Sequence, residues 1–202
     1  CTVECECSRA RIRGDRKITE AVPYRYELPD SRPLPMRPVV VGFGPAGLFA
    51  ALILAQAGQR PIVIERGEPV EKRQKAVEHF WKTGELQPQS NVQFGEGGAG
   101  TFSDGKLNTG TKDPRARKVL EELALAGAPE EILYMAKPHV GTDRLPQTVK
   151  NIRETICKLG GEVRFASQMT GLLCKENQVT GVRIQPAEGN PYVLETQHVV
   201  LA

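Results

Sequence analysis

Long hydrophobic runs and blocks of a single charge are both absent from this sequence of 202 residues. The longest unbroken apolar run, Leu48 to Ala55, is far shorter than the ~20 residues that a membrane-spanning helix needs. No charged and then apolar signal segment opens the chain, so we expect a soluble, cytoplasmic protein. The formal charge of +3 is too small and too dispersed for a protein that binds nucleic acid or an acidic membrane surface.

Cysteine and histidine are also sparse, with five cysteines and three histidines in the chain. Cys1, Cys5 and Cys7 lie close together, but their spacing has no fourth ligand nearby and matches no strong zinc or iron–sulfur pattern. Cys157 and Cys174 fall in a helical and a strand pattern, where we expect them to pack as small hydrophobic residues. The histidines are scattered along the chain, and we therefore predict no metal site.

The positions of proline and other turn-forming residues predict that the chain has two segments. Residues 1–37 end in the proline-rich stretch PDSRPLPMRP, which is typical of an extended linker that follows an upstream segment. Residues 38–202 form the main domain, in which strands and helices alternate before a small β-meander, as in an α/β fold with a parallel sheet. The chain starts without methionine and stops inside the strand-like HVVLA, so we expect further parts at both ends.

Hydrophobic periodicity and turn residues locate the elements of the main domain. A glycine-rich loop is expected around 95–110. Helices are predicted at 45–57, 70–82, 114–126 and about 145–159, and strands at 39–41, 62–65, 162–166, 169–174, 178–185, 192–196 and 198–202.

The turn between the first strand and the first helix has the pattern G-x-G-x-x-G, formed by Gly42, Gly44 and Gly47. The first glycine allows a tight turn, the second lets backbone approach a pyrophosphate, and the third lets the helix pack on the strand. Pro45 and Ala46 complete the hexad at the helix N-terminus, where free N–H groups and the helix dipole attract an anion. The pattern therefore predicts the phosphate-binding turn of a dinucleotide site.

Glu65 follows Gly47 by eighteen residues, at the end of the predicted second strand. An acid at this place accepts hydrogen bonds from the ribose of an adenosine, whereas it would repel a 2′-phosphate, so NADP is disfavoured here. The hexad and the acid do not distinguish FAD from NAD. A plain NAD-linked dehydrogenase and a non-catalytic dinucleotide-binding module therefore remain alternatives.

A second glycine-rich segment, NVQFGEGGAGTFSDGKLNTG, covers residues 91–110. A simple NAD dehydrogenase would return to a third strand soon after a short helix, whereas here this segment intervenes. Its glycines give a backbone-lined surface that can lie against a second anionic or planar group, which favours FAD. A flexible surface loop is the alternative interpretation.

Six stretches together, VVVGFGPAGLFAALILAQAG, PIVIERG, FWKTG, NVQFGEGGAGTFSDGKL, GAPEEILYMAKPHVGTD and LGGEVRF, resemble the FAD-dependent dehydrogenase-type flavoproteins of the glutathione-reductase superfamily. The resemblance covers about residues 38–202. It implies a Rossmann-like FAD-binding domain, with a substrate-facing part that lies largely C-terminal to these residues.

The resemblance also implies a set of cofactor contacts. The hexad would hold the pyrophosphate, Glu65 the ribose, the stretch from Gly97 to Lys106 would run beside the pyrophosphate and flavin, and Met169 would meet the adenine edge. Arg66 and Arg73 are expected either to reach the phosphates or ribose or to be solvated helix charges. The predicted FAD contacts are Gly42, Gly44, Pro45, Ala46, Gly47, Glu65, Arg66, Arg73, Gly97, Gly98, Ala99, Gly100, Thr101, Ser103 and Met169.

The expected activity is that of an FAD-dependent oxidoreductase that transfers a hydride or two electrons through the flavin to or from a small molecule. NAD(P)H is a candidate electron donor. Disulfide reductases of the superfamily carry a cysteine pair after the second strand, but no cysteine occurs between Cys7 and Cys157, so thiol chemistry is not expected. Asp104 and Lys106 are candidates for tuning the flavin, with a turn aspartate and a solvated lysine as the alternatives.

Overall fold

The computed structural model describes residues 24–30, 32–103, 105–107, 112–135 and 137–202. Two single turns of 3-10 helix span Ala99–Phe102 and Glu130–Leu133. The helices are α1 (Pro45–Gln56), α2 (Val70–Thr83), α3 (Ala116–Leu125) and α4 (Leu145–Lys158). The strands are β1 (Val39–Val41), β2 (Ile62–Ile64), β3 (Glu162–Arg164), β4 (Ser167–Lys175), β5 (Gln178–Pro186), β6 (Tyr192–Glu195) and β7 (Val199–Leu201).

A parallel sheet with the strand order β3-β2-β1-β7 forms the middle layer of the fold. The strands are aligned residue by residue, since Val39 of β1 lies opposite Ile62 of β2 and Val199 of β7. Strands β4, β5 and β6 form a separate antiparallel meander. The predicted α/β class, with a parallel sheet and a small β-meander, is confirmed.

The central strands bury both faces because successive side chains of a strand point to opposite sides. Val40 and Val63 face a core that includes side chains of α1, α3 and α4. Val39, Ile62 and Ile64 face the other way and pack against Val182 and Ile184 of β5. A strand that is covered on both faces needs an unbroken apolar run, and the β-branched runs of β1 and β2 meet this requirement.

Helix α1 is apolar on nearly every side because it lies inside the helical layer. Leu48, Ala51, Leu52 and Ala55 are all 3% exposed or less. Helix α4 packs alongside through Ile152 and Ile156 in the same core. The burial of its apolar face explains the spacing of four, three and four residues by which the sequence predicts this helix.

The end of the predicted linker is attached to the domain by side-chain contacts. The guanidinium of Arg37 donates to the carbonyl of Arg60 at 2.7 Å and forms an ion pair with Glu162 at 3.0 Å. The backbone N–H of Leu34 donates to the side-chain oxygen of Gln59. The division of the chain at residue 37 stays a prediction.

Across the ranges that the structure describes, every helix is too short or too polar to span a lipid bilayer. The same ranges contain no group of three or more His, Cys, Asp or Glu residues that could hold a metal ion. Cys1, Cys5 and Cys7 lie outside the described residues.

Cys157 and Cys174 correct the expectation that they pack as small hydrophobic residues, since both are exposed. Helix α4 buries Ile152 and Ile156, and Cys157 follows on the outer side of the apolar face. The periodicity therefore predicts the helix correctly, but a cysteine next to the buried stripe need not be part of it.

Substitutions at the exposed cysteines and at the neighbouring buried Ile156 should differ in their effect on stability. Serine at position 157 or 174 should change the free energy of unfolding by no more than about 0.5 kcal/mol, as is usual for surface substitutions. Ile156→Ala, at the neighbouring and fully buried position, should cost about 2–5 kcal/mol because it leaves a cavity. Denaturant unfolding of the full-length protein under reducing conditions measures both. Serine variants as unstable as Ile156→Ala would contradict the assignment of these cysteines to the surface.

Candidate functional site

A cleft of about 370 Å³ opens at the carboxyl ends of β1 and β2. Its walls come from the turn after β1, the end of β2, the glycine-rich segment at 93–98, the start of β4 and Ala202. Ligands of open parallel α/β sheets bind in this position, beyond the carboxyl ends of the strands. The cleft therefore brings together chain segments that lie more than a hundred residues apart.

Two glycines of the hexad are required by the protein itself. Gly42 has a φ of +96°, and a Cβ added there would lie 2.5 Å from the carbonyl oxygen of Ala202. A Cβ added at Gly47 would lie 2.0 Å from the carbonyl oxygen of Gly42, so α1 can pack on the β1 turn only without a side chain at this position. These are the turn and the helix–strand contact that the pattern predicts.

Gly44 is different, because nothing in the protein requires a glycine there. Its φ is −71°, an ordinary value, and the nearest atom to an added Cβ is the Cα of Gly98 at 3.9 Å. The residue is the N-cap of α1, no side chain caps the helix, and Pro45 at the first position has no N–H. Gly44 lines the cleft, so a group bound there can approach its backbone and the positive end of α1, as a pyrophosphate does.

Glu65 lies at the base of the cleft with 6% of its surface exposed. One carboxylate oxygen accepts the backbone N–H of Phe43 at 2.7 Å, and the other accepts the N–H of Gly67 at 2.7 Å. A carboxylate has about four lone-pair sites, so both oxygens keep acceptor capacity for the hydroxyls of a ribose. Glu65 thus supports the cleft and offers a contact to its ligand.

Arg66, Phe94 and Met169 all line the cleft. The guanidinium of Arg66 lies 3.6 Å from the centre of the Phe94 ring, which is a cation–π contact. Arg66 and Met169 were predicted from the sequence. Phe94 was not, because nothing in the glycine-rich segment distinguishes an aromatic cleft residue from an aromatic core residue.

The glycine-rich segment is bonded to the hexad turn. The N–H of Gly97 donates to the carbonyl of Phe43 at 2.8 Å. A Cβ added at Gly98, whose φ is +68°, would lie 3.0 Å from Cδ of Pro45 and 3.3 Å from Cα of Gly44. The segment is therefore a wall of the cleft over 93–98, as expected from its glycine content.

The predicted contacts divide into two groups in the structure. Those that line the cleft are Gly42, Gly44, Glu65, Arg66, Gly98 and Met169. Those that lie outside its lining are Pro45, Ala46, Gly47, Arg73, Gly97, Ala99, Gly100, Thr101 and Ser103. Asp104 lies outside the described residues.

Several members of the second group have a structural use that the sequence did not indicate. The hydroxyl of Thr101, which is 1% exposed, donates to the carbonyl of Glu96 at 3.3 Å. The hydroxyl of Ser103 donates to the carbonyl of Gly100 at 2.7 Å. Lys106 is exposed, and its backbone pairs with that of His139. A role for Lys106 at the flavin stays a prediction.

Arg73 corrects the expectation of a solvated helix charge, because its side chain is fully buried and lies outside the cleft lining. Its guanidinium donates to the carbonyls of Asn91, Val92 and Glu96 at 2.8, 2.8 and 2.6 Å. Burial lowers the pKa of Arg73 to about 10, while nearby Glu65 and Glu96 raise it, so the side chain stays a cation at neutral pH. Arg73 is therefore not a solvated helix charge.

Glu96 is a second buried charge that sequence reasoning missed. Its exposure is 0%, one oxygen accepts the N–H of Val70 at 2.7 Å and lies 3.2 Å from the Arg153 guanidinium, and the other oxygen has no partner among the described residues. Desolvation raises the pKa of Glu96 to about 7, although the Val70 N–H and Arg153 lower it. A glutamate between glycines in a sequence is usually read as exposed, so only the fold reveals it.

Comparison with known proteins identifies the family. Residues 36–202 match the family described as FAD binding domain. The chain belongs to this FAD-binding family. The description of this family supports FAD as the cofactor.

Individual relatives agree in fold and differ in length. An uncharacterized protein from Clostridium beijerinckii is 61% identical over 146 residues, which is 72% of this chain and 27% of that protein. The chain thus spans about a quarter of the length of this relative. The 3-ketosteroid-Δ4-(5α)-dehydrogenase from Rhodococcus jostii RHA1 is 17% identical with a TM-score of 0.53, over 82% of this chain and 45% of that one.

The L-proline dehydrogenase from P. horikoshii is likewise 17% identical with a TM-score of 0.52, over 85% of this chain and 53% of that one. At such identities the likeness of these solved structures shows a shared fold.

The geometry of Glu65 predicts the effect of removing its charge. Glu65→Gln keeps the size of the side chain, but its amide nitrogen cannot accept one of the two backbone N–H groups that Glu65 holds. The variant should weaken FAD binding by about ten- to a hundredfold, since a hydrogen bond to a charged group contributes about 1.5–3 kcal/mol. Glu65→Ala should also lower stability, because the N–H groups of Phe43 and Gly67 lose their acceptor. Titration of the full-length apo-protein with FAD measures the affinity.

Glu68→Gln is the matched control for this titration, because Glu68 lies three residues on and pairs with Lys72 at 3.4 Å. It should leave the affinity unchanged. An unchanged affinity in Glu65→Gln as well would contradict the assignment of Glu65 to the ribose.

The raised pKa of Glu96 predicts a pH dependence of stability. An acid whose pKa is raised by folding stabilises the fold fully below its unfolded pKa of about 4.5, and this contribution is lost as the pH rises through about 7. The charges around it are Arg73 and Glu71 of α2, Arg153 of α4, and Glu65 after β2. The stability of the wild type relative to Glu96→Gln should therefore fall between pH 4.5 and 7 and stay level above it.

Melting temperatures of the two full-length apo-proteins across this pH range measure the difference. Glu188→Gln, at an exposed glutamate, should run parallel to the wild type. A wild-type advantage that grows with pH would contradict the burial of Glu96 as the dominant effect.

Proposed function

We propose that the protein containing this chain is an FAD-dependent oxidoreductase of the glutathione-reductase superfamily, and that residues 38–202 hold its FAD. The observation that carries this proposal is Gly44 itself, which lines the cleft at the uncapped N-terminus of α1 and where an added Cβ would make only an ordinary contact with the protein. The packing of the protein does not require a glycine at position 44. An anion that must approach the backbone there explains the glycine.

The charges of the cleft support a dinucleotide without a 2′-phosphate. Glu65 is buried and holds two backbone N–H groups, which is the behaviour of an ionised carboxylate. A phosphate on the ribose would meet this carboxylate at the base of the cleft. FAD, whose ribose has free hydroxyls, suits the site better than NADP.

The lining beyond Glu65 supports a planar base at the adenosine end. The Phe94 ring and the guanidinium of Arg66 are stacked, and Met169 lies at the start of the meander. Planar and polarisable groups of this kind pack well against the face of a purine. This chain would thus bind and orient the adenosine half of the cofactor.

The chemistry would come from the flavin, whose isoalloxazine supplies hydride or two-electron transfer when FAD is bound. The two cysteines that the structure describes, Cys157 and Cys174, are exposed and lie outside the cleft lining. Partial desolvation by neighbouring groups still raises the pKa of the exposed Cys157 thiol, which keeps it protonated at neutral pH and makes it a poor nucleophile. Neither is placed for thiol chemistry at the cleft.

The substrate class, the electron donor and the cellular location stay predictions. A small-molecule substrate, NAD(P)H as donor and a cytoplasmic protein are the expectations from the sequence. The parts of the protein outside this chain would complete the flavin and substrate sites, since the chain spans about a quarter of its relative from Clostridium beijerinckii.

Valine substitutions at Gly44 and Gly100 test the proposal. An added Cβ meets no atom nearer than 3.9 Å at Gly44 and none within 4 Å at Gly100, so the Cβ itself clashes at neither position. Gly44→Val should nevertheless reduce the FAD content of the purified full-length protein by at least about tenfold, because its side chain takes the space of the cofactor in the cleft. A smaller reduction is expected for Gly100→Val, since Gly100 lies outside the cleft lining. The flavin absorbance per protein measures this content.

Gly171→Val is the matched control, because Gly171 lies in β4 and an added Cβ there first meets an atom at 4.0 Å. Valine is favoured in strands, so this variant should purify with normal flavin content. Gly98→Val is a poor test, since Gly98 has a positive φ and contacts Pro45. A wild-type protein that binds NAD and carries no flavin, or a Gly44→Val variant with full flavin content, would contradict the proposal.

A further inference from the structure

The glycine-rich wall of the cleft has no regular structure of its own between residues 91 and 98. Gly95, Gly97 and Gly98 have φ values of +117°, +81° and +68°, which are backbone conformations that glycine adopts freely. A segment of this composition has high conformational entropy when it is unsupported. Something outside the segment must therefore fix its shape.

Arg73 supplies this support from the neighbouring helix α2. Three carbonyls of the segment, those of Asn91, Val92 and Glu96, all accept from the one guanidinium. A planar fork with five donors suits several acceptors at fixed angles, whereas an ammonium does not. Asn91 reinforces the arrangement, because its side-chain oxygen accepts the N–H groups of Gln93 and Phe94.

Gly95 makes room for the arginine. A Cβ added at Gly95 would lie 2.6 Å from Cδ of Arg73, so the stem of the arginine passes directly against the backbone at this point. Gly67 is equally close on another side, where an added Cβ would lie 2.4 Å from Cα of Gly95. The glycine at 95 is thus explained by the contact with Arg73 as well as by its φ, and the glycine at 67 by its contact with the backbone of Gly95.

Glu96 joins the same segment to the start of α2. Its carboxylate accepts the N–H of Val70, the first residue of the helix, and its backbone N–H donates to the carbonyl of Glu68 at 3.2 Å. Its carbonyl accepts from both Arg73 and Thr101. The side chain, the backbone N–H and the carbonyl of Glu96 therefore all form hydrogen bonds with neighbouring residues.

The fastened part of the segment continues directly into the cleft. Gly95 and Gly98 line the cleft, and the N–H of Gly97 between them donates to the carbonyl of Phe43 in the hexad turn. Gly98 packs beside Gly44, with its Cα 3.9 Å from the Cβ position of Gly44, so the position of the segment sets the width of the cleft at the phosphate-binding turn. A shift of residues 91–96 would change this width.

We propose that Arg73 and Glu96 form a buried latch that holds segment 91–98 against the hexad turn and thereby sets how tightly FAD is retained. Both are positioning residues, since neither lines the cleft. The inference rests on the proposed function, which supplies FAD as the cofactor. The hydrogen bonds by which the latch fixes the segment do not depend on FAD.

Arg73→Met tests the latch in the full-length protein, because methionine keeps an apolar stem and removes all three donors. Hydrogen exchange of the FAD-free protein should become faster in peptides that cover 91–98, while exchange in β1, β2 and α1 stays unchanged. The Kd for FAD should rise by about tenfold or more, as expected when several charge-assisted hydrogen bonds are lost. Arg73→Lys should give a smaller change in the same direction, and it replaces Arg73→Met if that variant does not fold.

Lys72→Met is the matched control, since Lys72 is the preceding residue of α2 and its side chain is 71% exposed. It should leave both the exchange and the Kd unchanged. Faster exchange in 91–98 with an unchanged Kd in Arg73→Met would overturn the proposal, and so would unchanged exchange. Faster exchange spread evenly over the sheet would show a general loss of stability and also overturn it.

Different results would refute the proposed function and the proposed latch. A wild-type protein that does not bind FAD would refute the proposed function and the cofactor half of this inference together. Unchanged exchange in Arg73→Met would refute the latch alone and leave the proposed function intact.

Discussion

The carboxylate of Glu65 connects the two strand ends on which the cleft is built. One oxygen accepts the N–H of Phe43 in the turn after β1, and the other accepts the N–H of Gly67 just after β2. Phe43 in turn accepts from Gly97 through its carbonyl, so the glycine-rich wall is joined to the same point. Because a buried carboxylate needs such partners, the acid that would hold a ribose also fixes the geometry around it.

The glycines around this acid serve two physical purposes that a sequence pattern does not separate. Gly42, Gly47 and Gly95 are required by protein contacts closer than 3 Å to their Cβ positions. Gly44 and Gly100 meet no such contact, so the protein alone gives no reason for them. Of these two, Gly44 lines the cleft, and it stands at the positive end of α1, where an anion is most stabilised.

Much of the fold and part of the site could be predicted because they depend on local patterns. The runs of β1 and β2, the periodicity of α4 and the spacing from Gly47 to Glu65 are all readable in one dimension. The burial of Arg73 and Glu96 could not be predicted, because it arises only when segment 91–96 folds onto α2. The place of Phe94 in the cleft depends on the same folded arrangement. Arg73 looks like a solvated charge in its helix, and only the three carbonyls that meet it in space show otherwise.

The most direct measurement of the central claim is a crystal structure of the full-length protein as purified. The account predicts FAD in the cleft, with its pyrophosphate against the backbone of Gly44 at the start of α1 and its adenosine ribose within hydrogen-bonding distance of Glu65. FAD bound elsewhere with this cleft empty, or a different dinucleotide in its place, would contradict the account.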